Sequence, residues 1–423
     1  MSTKDYLDHT LSGANARSVD HFETACHQLR CYVGDPAAAA QAALRASPGM
    51  TMGHVLMAWL HLLGTESLAL PAARKALAAA RALPANEREA AHCQAIEHVV
   101  AGRWHAAGLV LEDLSIRYPR DALALQAGHS IDFFVGDSRM LRDRIARAIG
   151  RWRPDMPGYH AVLGMYAFGL EETGAYARAE AVGRRAVELQ PQDGWAWHAV
   201  AHVLEMQGRR REGVAWLGEH RATWSEGSFF ATHNWWHLAL FHLGLDQVGE
   251  ALALLDRQLL APASPLVLNM IDASAMLWRL QLRGVDVGAR WQALAERWAP
   301  QAEAGNYAFN DMHAMMAFVQ AGRSEDVARL LAAQDAAWAA PSDNADFLKD
   351  VGHAATRAVQ AFGEQRYGDA VRLLRPLRSG AHRFGGSHAQ RDLIDQTLIE
   401  AAERGGEHDL ADALRRERAM PMP

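Results

Sequence analysis

A short phrase of the form Gly-x-aromatic-x-x-Ala recurs along this chain, and its spacing constrains the fold more than any other feature. Clear copies begin at Gly102 and Gly174, and in both a proline follows at the same distance, at Pro119 and Pro191. Weaker copies begin at Gly136, Gly208, Asp246, Gly322 and Gln365. The first five anchors in chain order stand at positions 102, 136, 174, 208 and 246, so the intervals between them alternate between two close values.

A period of about 34 residues, with glycine ending one helix and alanine at the helix crossing, resembles the tetratricopeptide repeat. Each helix pair can bury its apolar face only against its neighbours, so several pairs must stack. The sequence therefore predicts an all-α protein. It would be an α-solenoid of tetratricopeptide-type helix pairs that forms a curved or closed superhelix with a central concave pocket.

We predict a single array over residues 1–423. It would have irregular helix pairs over 1–100, the best repeats over 101–255, and degenerate repeats with C-terminal helices over 256–423. Breaks in the spacing predict insertions near 215–230, 256–275 and 335–350.

Composition narrows the classes of partner and location. The formal net charge is −6, so no global basic field attracts nucleic acid or an anionic membrane, and we expect neither as a partner. The N-terminal sequence lacks the pattern of a signal peptide, and no run of 18 uncharged apolar residues occurs. The three cysteines form neither an even set nor a CxxC pair, which favours buried thiols in a reducing compartment. A cytoplasmic location is expected.

Longer phrases carry a narrower resemblance. They are AFGLEETGAY (167–176), WAWHAVAHVLEMQG (195–208), HNWWHLAL (233–240), FNDMHAMMA (309–317) and GGSHAQRD (385–392). They resemble the tetratricopeptide repeat protein 38 family, and the resemblance runs over most of the chain. It implies the repeat fold and a pocket, but no particular reaction.

The 21 histidines are clustered in sequence. His198, His202 and Glu205 are spaced i, i+4, i+7, which places them on one helical stripe. His233 and His237 lie one turn apart on the first helix of the next pair. Counted from the anchor glycine, the first stripe occupies positions that face the concave groove in proteins this chain resembles. All five side chains are expected to share that groove.

Imidazole and carboxylate groups are ligands of divalent first-row metals. We therefore predict His198, His202, His233 and His237 as ligands of Zn, Fe or Mn, with Glu205 as an acid–base group. The sequence HAVAHVLE is not the HExxH of metalloproteases. The alternative is that these histidines pack among the neighbouring tryptophans, Trp195, Trp197, Trp235 and Trp236.

Polar residues in other repeats extend the candidate site. Glu171 is a predicted acid–base group, and its neighbour Glu172 is expected at the surface, because adjacent helical residues point about 100° apart. Further catalytic candidates are His129, Asp132, Asp311 and His313. Predicted substrate-binding residues are Trp236, Asp272, His388 and Arg391. Ser387 is expected to cap the helix that follows it. The N–H groups at the start of that helix, together with Arg391, are predicted to hold a carboxylate or phosphate, and the alternative is that they serve in helix capping alone.

Two functions remain open from the sequence. No GxSxG elbow, P-loop or GxGxxG fingerprint occurs, so an enzyme would use activated water or acid–base chemistry, as a metal-dependent hydrolase does. Its substrate would be a small molecule. The alternative is a non-catalytic scaffold that binds a peptide or protein in its concave groove. The Trp-rich helices are compatible with a homodimer as well as with a monomer.

Overall fold

The computed structural model describes residues 3–261, 264 and 266–419, and helices account for nearly all of the regular structure in them. Within these residues no β-strand occurs, and the only β-type pairs are the isolated bridges Lys4–Thr10 and Val33–Ser228. Successive helices alternate as the first and second members of hairpin-like pairs. The prediction of an all-α solenoid of tetratricopeptide-type helix pairs is confirmed.

The helices up to residue 148 are α1 (Ala16–Cys31), α2 (Pro36–Ala46), α3 (Thr51–Leu62), α4 (Leu70–Arg81), α5 (Glu87–Val100), α6 (Trp104–Arg117), α7 (Ala122–Phe134) and α8 (Ser138–Ala148). The next are α9 (Tyr159–Glu171), α10 (Tyr176–Leu189), α11 (Gly194–Met206), α12 (Arg210–Glu219), α13 (Arg221–Ser225), α14 (Ala231–Gly244), α15 (Val248–Leu254) and α16 (Val267–Leu282). The last are α17 (Arg290–Trp298), α18 (Ala308–Gln320), α19 (Ser324–Trp338), α20 (Asp343–Phe347), α21 (His353–Gly363), α22 (Tyr367–Leu374), α23 (His388–Arg404) and α24 (His408–Arg418).

Shorter helical segments interrupt this alternation. Two π-helical segments, Leu255–Leu260 and Leu348–Gly352, fall at two of the predicted insertions. Four 3-10 segments are Ser67–Ala69, Ile149–Arg151, Ala299–Gln301 and Arg375–Phe384.

Every anchor predicted from the repeated phrase lies in the left-handed region of the backbone. The φ angles are 73° at Gly102, 73° at Gly136, 79° at Gly174, 66° at Gly208, 59° at Asp246, 68° at Gly322 and 61° at Gln365. Each of these residues ends the first helix of a pair, where a left-handed residue reverses the chain. The interpretation of the phrase as a helix terminator is confirmed.

Four further anchors have the same conformation without the phrase. They are Tyr32 (58°), Thr65 (61°), Gly284 (73°) and Gly406 (82°). Tyr32 and Thr65 end α1 and α3, at an interval close to the repeat length. Helix pairs of the same kind are therefore already present before residue 100.

The helices group into two compact units. The first unit comprises Met1–Phe133, Asp137–Val203 and Trp216–Asn234, and the second comprises Phe134–Gly136, Leu204–Ala215 and Trp235–Pro423. The predicted subdivision of the array at residues 100 and 255 stays a prediction.

In the first unit, α8 and α9 approach each other closely. A Cβ atom at Gly169 would lie 2.5 Å from the backbone of Leu141 and Arg142, so only glycine fits there. This contact fixes the C-terminal turn of α9, which ends two residues later at Glu171. The buried core beside it includes Leu125, Ile145 and Val162.

Among the described residues, no helix is both long and apolar enough to cross a membrane.

Candidate functional site

The first unit brings three of the predicted metal ligands together. His198 and His202 lie on α11, and His233 lies near the start of α14. The Nε2 atoms of His198 and His233 are 3.1 Å apart, and the rings of His198 and His202 are 4.4 Å apart between centroids. One ring nitrogen of each histidine lies within 4.8 Å of those of the other two, and all three side chains are buried. The i, i+4 pair on α11 therefore converges with the first turn of α14.

Aromatic rings surround this cluster. The ring centroids of Phe168, Trp195 and Phe230 lie 5.3, 4.7 and 5.3 Å from that of His198. Packing against Trp195 agrees with the alternative considered from sequence. Trp197, by contrast, packs on Trp216, with ring centroids 4.2 Å apart. Apolar rings around a cluster strengthen the electrostatic interactions inside it.

Two carboxylates approach the cluster from the end of α9. Glu171 Oε2 lies 3.6 Å from His202 Nδ1, and both side chains are fully buried. Glu171, Glu172 and His202 together place oxygen and nitrogen atoms within 4.8 Å of one another. Glu172 is only 5% exposed, and Ser138 Oγ donates to its Oε2 at 3.3 Å. The expectation that Glu172 is a surface group was wrong, because the tight α8–α9 contact encloses the turn that carries it.

His129 and Asp132, on α7 of the same unit, have other surroundings. Arg144 donates to both oxygens of Asp132, from Nε at 2.7 Å and Nη2 at 2.8 Å, in a buried bidentate ion pair. The ring of His129 meets Phe168 and Trp195 edge-on at 5.9 and 5.7 Å. Burial lowers the pKa of His129 to about 3, so its imidazole is neutral. The Asp132 contacts are those of a structural ion pair, and the catalytic role of the two residues stays a prediction.

His237 and Trp236 belong to the second unit. His237 follows His233 by one helical turn along α14, and its ring lies 4.9 Å from that of Trp236. The guanidinium of Arg279 lies 5.4 Å from the centroid of the Trp236 ring, a cation–π distance. Trp236 therefore has a packing role in this unit, and its predicted substrate contact stays a prediction.

Three other predicted residues of the second unit are carboxyl groups, of which Asp272 and Asp311 are buried and Glu205 is partly buried. Asp272 is fully buried in α16. Burial raises the pKa of Glu205, and it raises the pKa of Asp311 to about 7. Gln334 Nε2 donates to Asp311 Oδ2 at 3.1 Å.

His313 has a local partner as well. Its Nδ1 lies 2.8 Å from the carbonyl oxygen of Phe309, one turn earlier on α18. Burial lowers the pKa of His313 to about 4, so the ring is neutral and Nδ1 donates. These contacts explain Asp311 and His313 as parts of the helix packing, and their catalytic role stays a prediction.

The predicted cap at Ser387 is confirmed. Its Oγ accepts from the backbone N–H of Gln390, and the Gln390 side chain accepts from the backbone N–H of Ser387, which is a complete capping box. His388 begins α23, and Arg391 Nη1 donates to the carbonyl of Gly386. Arg391 thus stabilises the glycine turn. A contact of His388 or Arg391 with substrate stays a prediction.

Sequence reasoning missed a second cluster in the first unit. Cys31 Sγ lies 3.9 Å from His27 Nδ1 and 4.0 Å from His160 Nε2. All three cysteines of the chain are free and buried, as predicted. The spacing of His27 and Cys31, i and i+4, was a signal for this cluster. Nothing in the sequence placed His160, which comes four helix pairs further along the chain, beside them.

His160 belongs to an arrangement that occurs twice in this unit. Asp121 and Asp193 each follow the proline of a clear repeat by two residues. Each uses Oδ1 to accept from a backbone N–H three residues later, Ala124 or Ala196, at 3.0 Å. Their Oδ2 atoms bind a histidine of an earlier helix: His92 Nε2 at 3.0 Å and His160 Nδ1 at 2.7 Å.

The fold and these contacts define a tetratricopeptide-like helical repeat protein with buried histidine clusters. No protein-family model matches the sequence. Among solved structures, one of the human IFIT1 dimer with m7Gppp-AAAA is similar over 96% of this chain and 95% of that chain, with a TM-score of 0.40 and 14% sequence identity. A likeness at this level carries no argument about the function of this chain.

One sequence-based prediction about partners does not stand. We expected no nucleic-acid partner because of the negative net charge, yet the IFIT1 structure contains a capped RNA. The exclusion was wrong, because a net charge averages over the whole surface and does not describe one local face.

Proposed function

We propose that His198, His202 and His233 bind one divalent transition-metal ion, and that the protein uses this ion to catalyse hydrolysis or acid–base chemistry on a small molecule. The observation that carries the proposal is the convergence of three buried imidazoles. The 3.1 Å between His198 Nε2 and His233 Nε2 is close to the roughly 3.3 Å that separates two nitrogen ligands of a tetrahedral zinc ion.

The ligand number also suits catalysis. Three protein ligands and one open position are typical of catalytic zinc sites, whereas structural sites use four. Iron and manganese accept the same imidazole and carboxylate groups. When bound, such an ion lowers the pKa of a coordinated water and so supplies the nucleophile for which the sequence offers no side chain.

The charges around the cluster support a cation. Glu171 is the last residue of α9 and Glu172 is its C-cap, so two buried carboxylates lie at the partially negative end of a helix. A divalent ion beside His202 would offset the negative charge of these carboxylates. Glu171, 3.6 Å from His202 Nδ1, would also orient that ring.

Glu171 is the candidate for the group that accepts a proton from the water. His237 and Glu205, which belong to the second unit, stay predictions. We also propose that this chain is related to the tetratricopeptide repeat protein 38 family, on the phrases quoted above, and that it is located in the cytoplasm.

The metal content of the purified protein tests the proposal. Untagged protein, prepared without added metal, is measured by mass spectrometry beside His202→Ala and the double variant His198→Ala/His202→Ala. The exposed His408 supplies the matched control, His408→Ala. We expect near-stoichiometric zinc, iron or manganese in the wild type and the control, and loss of the ion from both cluster variants at unchanged far-UV helicity.

Two results would contradict the proposal. One is metal content that stays the same in the double variant. The other is a wild-type protein that binds none of the three ions even after reconstitution. Either result would favour the alternative of a binding scaffold, and a search for peptide, protein and RNA partners would follow.

A further inference from the structure

We propose that His27, Cys31 and His160 form a second, separate metal site in the first unit, selective for an ion that prefers a thiolate, such as zinc. This site shares no ligand with the histidine cluster of α11 and α14, and it does not depend on the proposed catalytic role of that cluster.

The three ligand atoms already converge. His27 Nδ1, Cys31 Sγ and His160 Nε2 lie within 4.8 Å of one another. The two sulfur–nitrogen distances, 3.9 and 4.0 Å, exceed the roughly 3.6 Å expected around a tetrahedral zinc ion by only a few tenths of an ångström. A small rotation of the His27 ring and the thiol would close that difference. His27 and Cys31 come from the last turns of one helix, α1, which fixes their mutual position.

The carboxylate of Asp193 orients His160 as a ligand. The buried Asp193 Oδ2 lies 2.7 Å from His160 Nδ1, so Nδ1 carries the proton and the lone pair of Nε2 points toward Cys31. A carboxylate behind a metal-binding histidine is the usual way in which proteins fix the ring and its tautomer. A Cys31 thiolate and the Asp193 carboxylate would supply two negative charges for a divalent ion, against the positive charge of Arg30, which also acts on His27 and Cys31.

His92 provides an internal comparison. Its Nε2 binds Asp121, as His160 binds Asp193, but its other nitrogen, Nδ1, accepts from the indole N–H of Trp59 at 3.1 Å. Both nitrogens of His92 are therefore used in packing. At His160 the equivalent nitrogen faces a thiol and a second imidazole instead. The His–Asp contact therefore stabilises the fold at both places. Of the two histidines, only His160 directs its second ring nitrogen at other potential metal ligands.

The site has a route for an ion to enter. Cys31 is fully buried, whereas the side chain of His27 is only partly buried and reaches solvent. An ion would bind from the side of His27, and the proton of the Cys31 thiol would leave to solvent as the sulfur–metal bond forms.

Cobalt(II) loading tests this proposal, because a thiolate ligand gives cobalt a near-ultraviolet charge-transfer band that nitrogen and oxygen ligands do not give. The full-length protein is stripped of metal, titrated with cobalt(II), and then with zinc. We expect the band in the wild type, its disappearance on zinc addition, its absence in Cys31→Ser, and cobalt affinity weaker by about tenfold or more in His27→Gln.

Two variants serve as controls. Cys26→Ser removes another buried thiol of α1 that lies outside the cluster, and it should keep the band. His202→Ala should also keep the band while losing the metal of the first cluster, which separates the two sites. A wild type without the band, or a band that persists in Cys31→Ser, would overturn the proposal. If Cys31→Ser fails to fold, the partly exposed His27→Gln decides, since unchanged cobalt affinity in that variant would refute the site.

Discussion

The Nε2 atoms of His198 and His233 lie 3.1 Å apart, although 35 residues separate them in the chain. His198 lies 10 residues before its anchor, Gly208, and His233 lies 13 residues before Asp246, so the two positions differ by about one helical turn on the first helices of consecutive pairs. A solenoid places such helices side by side. A metal ligand set can therefore arise in this fold from histidines on neighbouring first helices.

A first prediction concerns Asp311 and pH. Burial raises its pKa from 3.8 to about 7, so the folded protein holds a proton that the unfolded chain releases at lower pH. The contribution of the protonated Asp311 carboxyl to the free energy of unfolding is fully present below pH 3.8 and is lost as the pH rises through about 7. Asp311→Asn cannot ionise and keeps an oxygen for Gln334. We expect it to be more stable than the wild type at pH 8, by up to about 4 kcal/mol, and nearly equal at pH 4.

Urea unfolding at pH 4, 5.5 and 8 measures this difference. Asp369→Asn is the matched control, because Asp369 is paired with Arg366 and Arg372 and its pKa is lowered rather than raised. The control should gain no stability at pH 8. An Asp311→Asn variant whose advantage does not grow with pH would contradict the burial argument.

A second prediction concerns the ion pair of Asp132 and Arg144. Both side chains are buried, and the guanidinium binds both carboxylate oxygens. Removal of either partner leaves an unpaired buried charge, so Asp132→Ala or Arg144→Ala should each lower the free energy of unfolding by about 3 to 5 kcal/mol. The exposed pair of Arg139 and Asp143 should contribute less than about 1 kcal/mol.

Chemical denaturation and metal analysis together show what Asp132 does. We expect Asp132→Ala to lose stability and to retain the metal of the His198 cluster. Loss of metal without loss of stability would instead return Asp132 to the catalytic role that its sequence position suggested.

A third prediction uses the left-handed anchors. Gln365 adopts a φ of 61°, which costs a residue with a Cβ about 1 kcal/mol relative to glycine. Gln365→Gly should therefore raise the free energy of unfolding by several tenths to about 1 kcal/mol. Gly174→Ala is the reverse experiment, since an added Cβ there would meet nothing within 4 Å and only the backbone conformation (φ 79°) is strained. It should lose a similar amount, and thermal unfolding of both variants checks the opposite signs.

Much of the fold was predictable because the anchor glycines recur at visible spacing. Tyr32 and Thr65 were not found: neither is glycine, and neither is followed by the aromatic residue of the clear copies. Gly284 was missed although it stands 38 residues after Asp246 and 38 before Gly322, an interval that also separates Gly136 from Gly174. The repeat is thus more regular in backbone conformation than in sequence.

The candidate site was predictable where one helix carries it. The register of His198 and His202 on α11 followed from their spacing of one helical turn, and the repeat placed His233 near them. The buried position of Glu172 did not follow, because it depends on the α8–α9 contact at Gly169. The contact of Cys31 with His160 depends on tertiary packing between residues far apart in the chain, which periodicity does not encode.

Few other residues could replace Asp193, because its carboxylate makes two different contacts. One carboxylate oxygen caps the start of α11 by accepting a hydrogen bond from the backbone N–H of Ala196, and the other oxygen binds His160 Nδ1. Asparagine has a single acceptor oxygen and could not accept from both the Ala196 N–H and the His160 Nδ1–H, while serine could cap the helix but could not hold the ring. Glutamate would carry its carboxylate one methylene too far. Natural variants of this protein should therefore keep aspartate at position 193, and whichever chain loses it should change at position 160 as well.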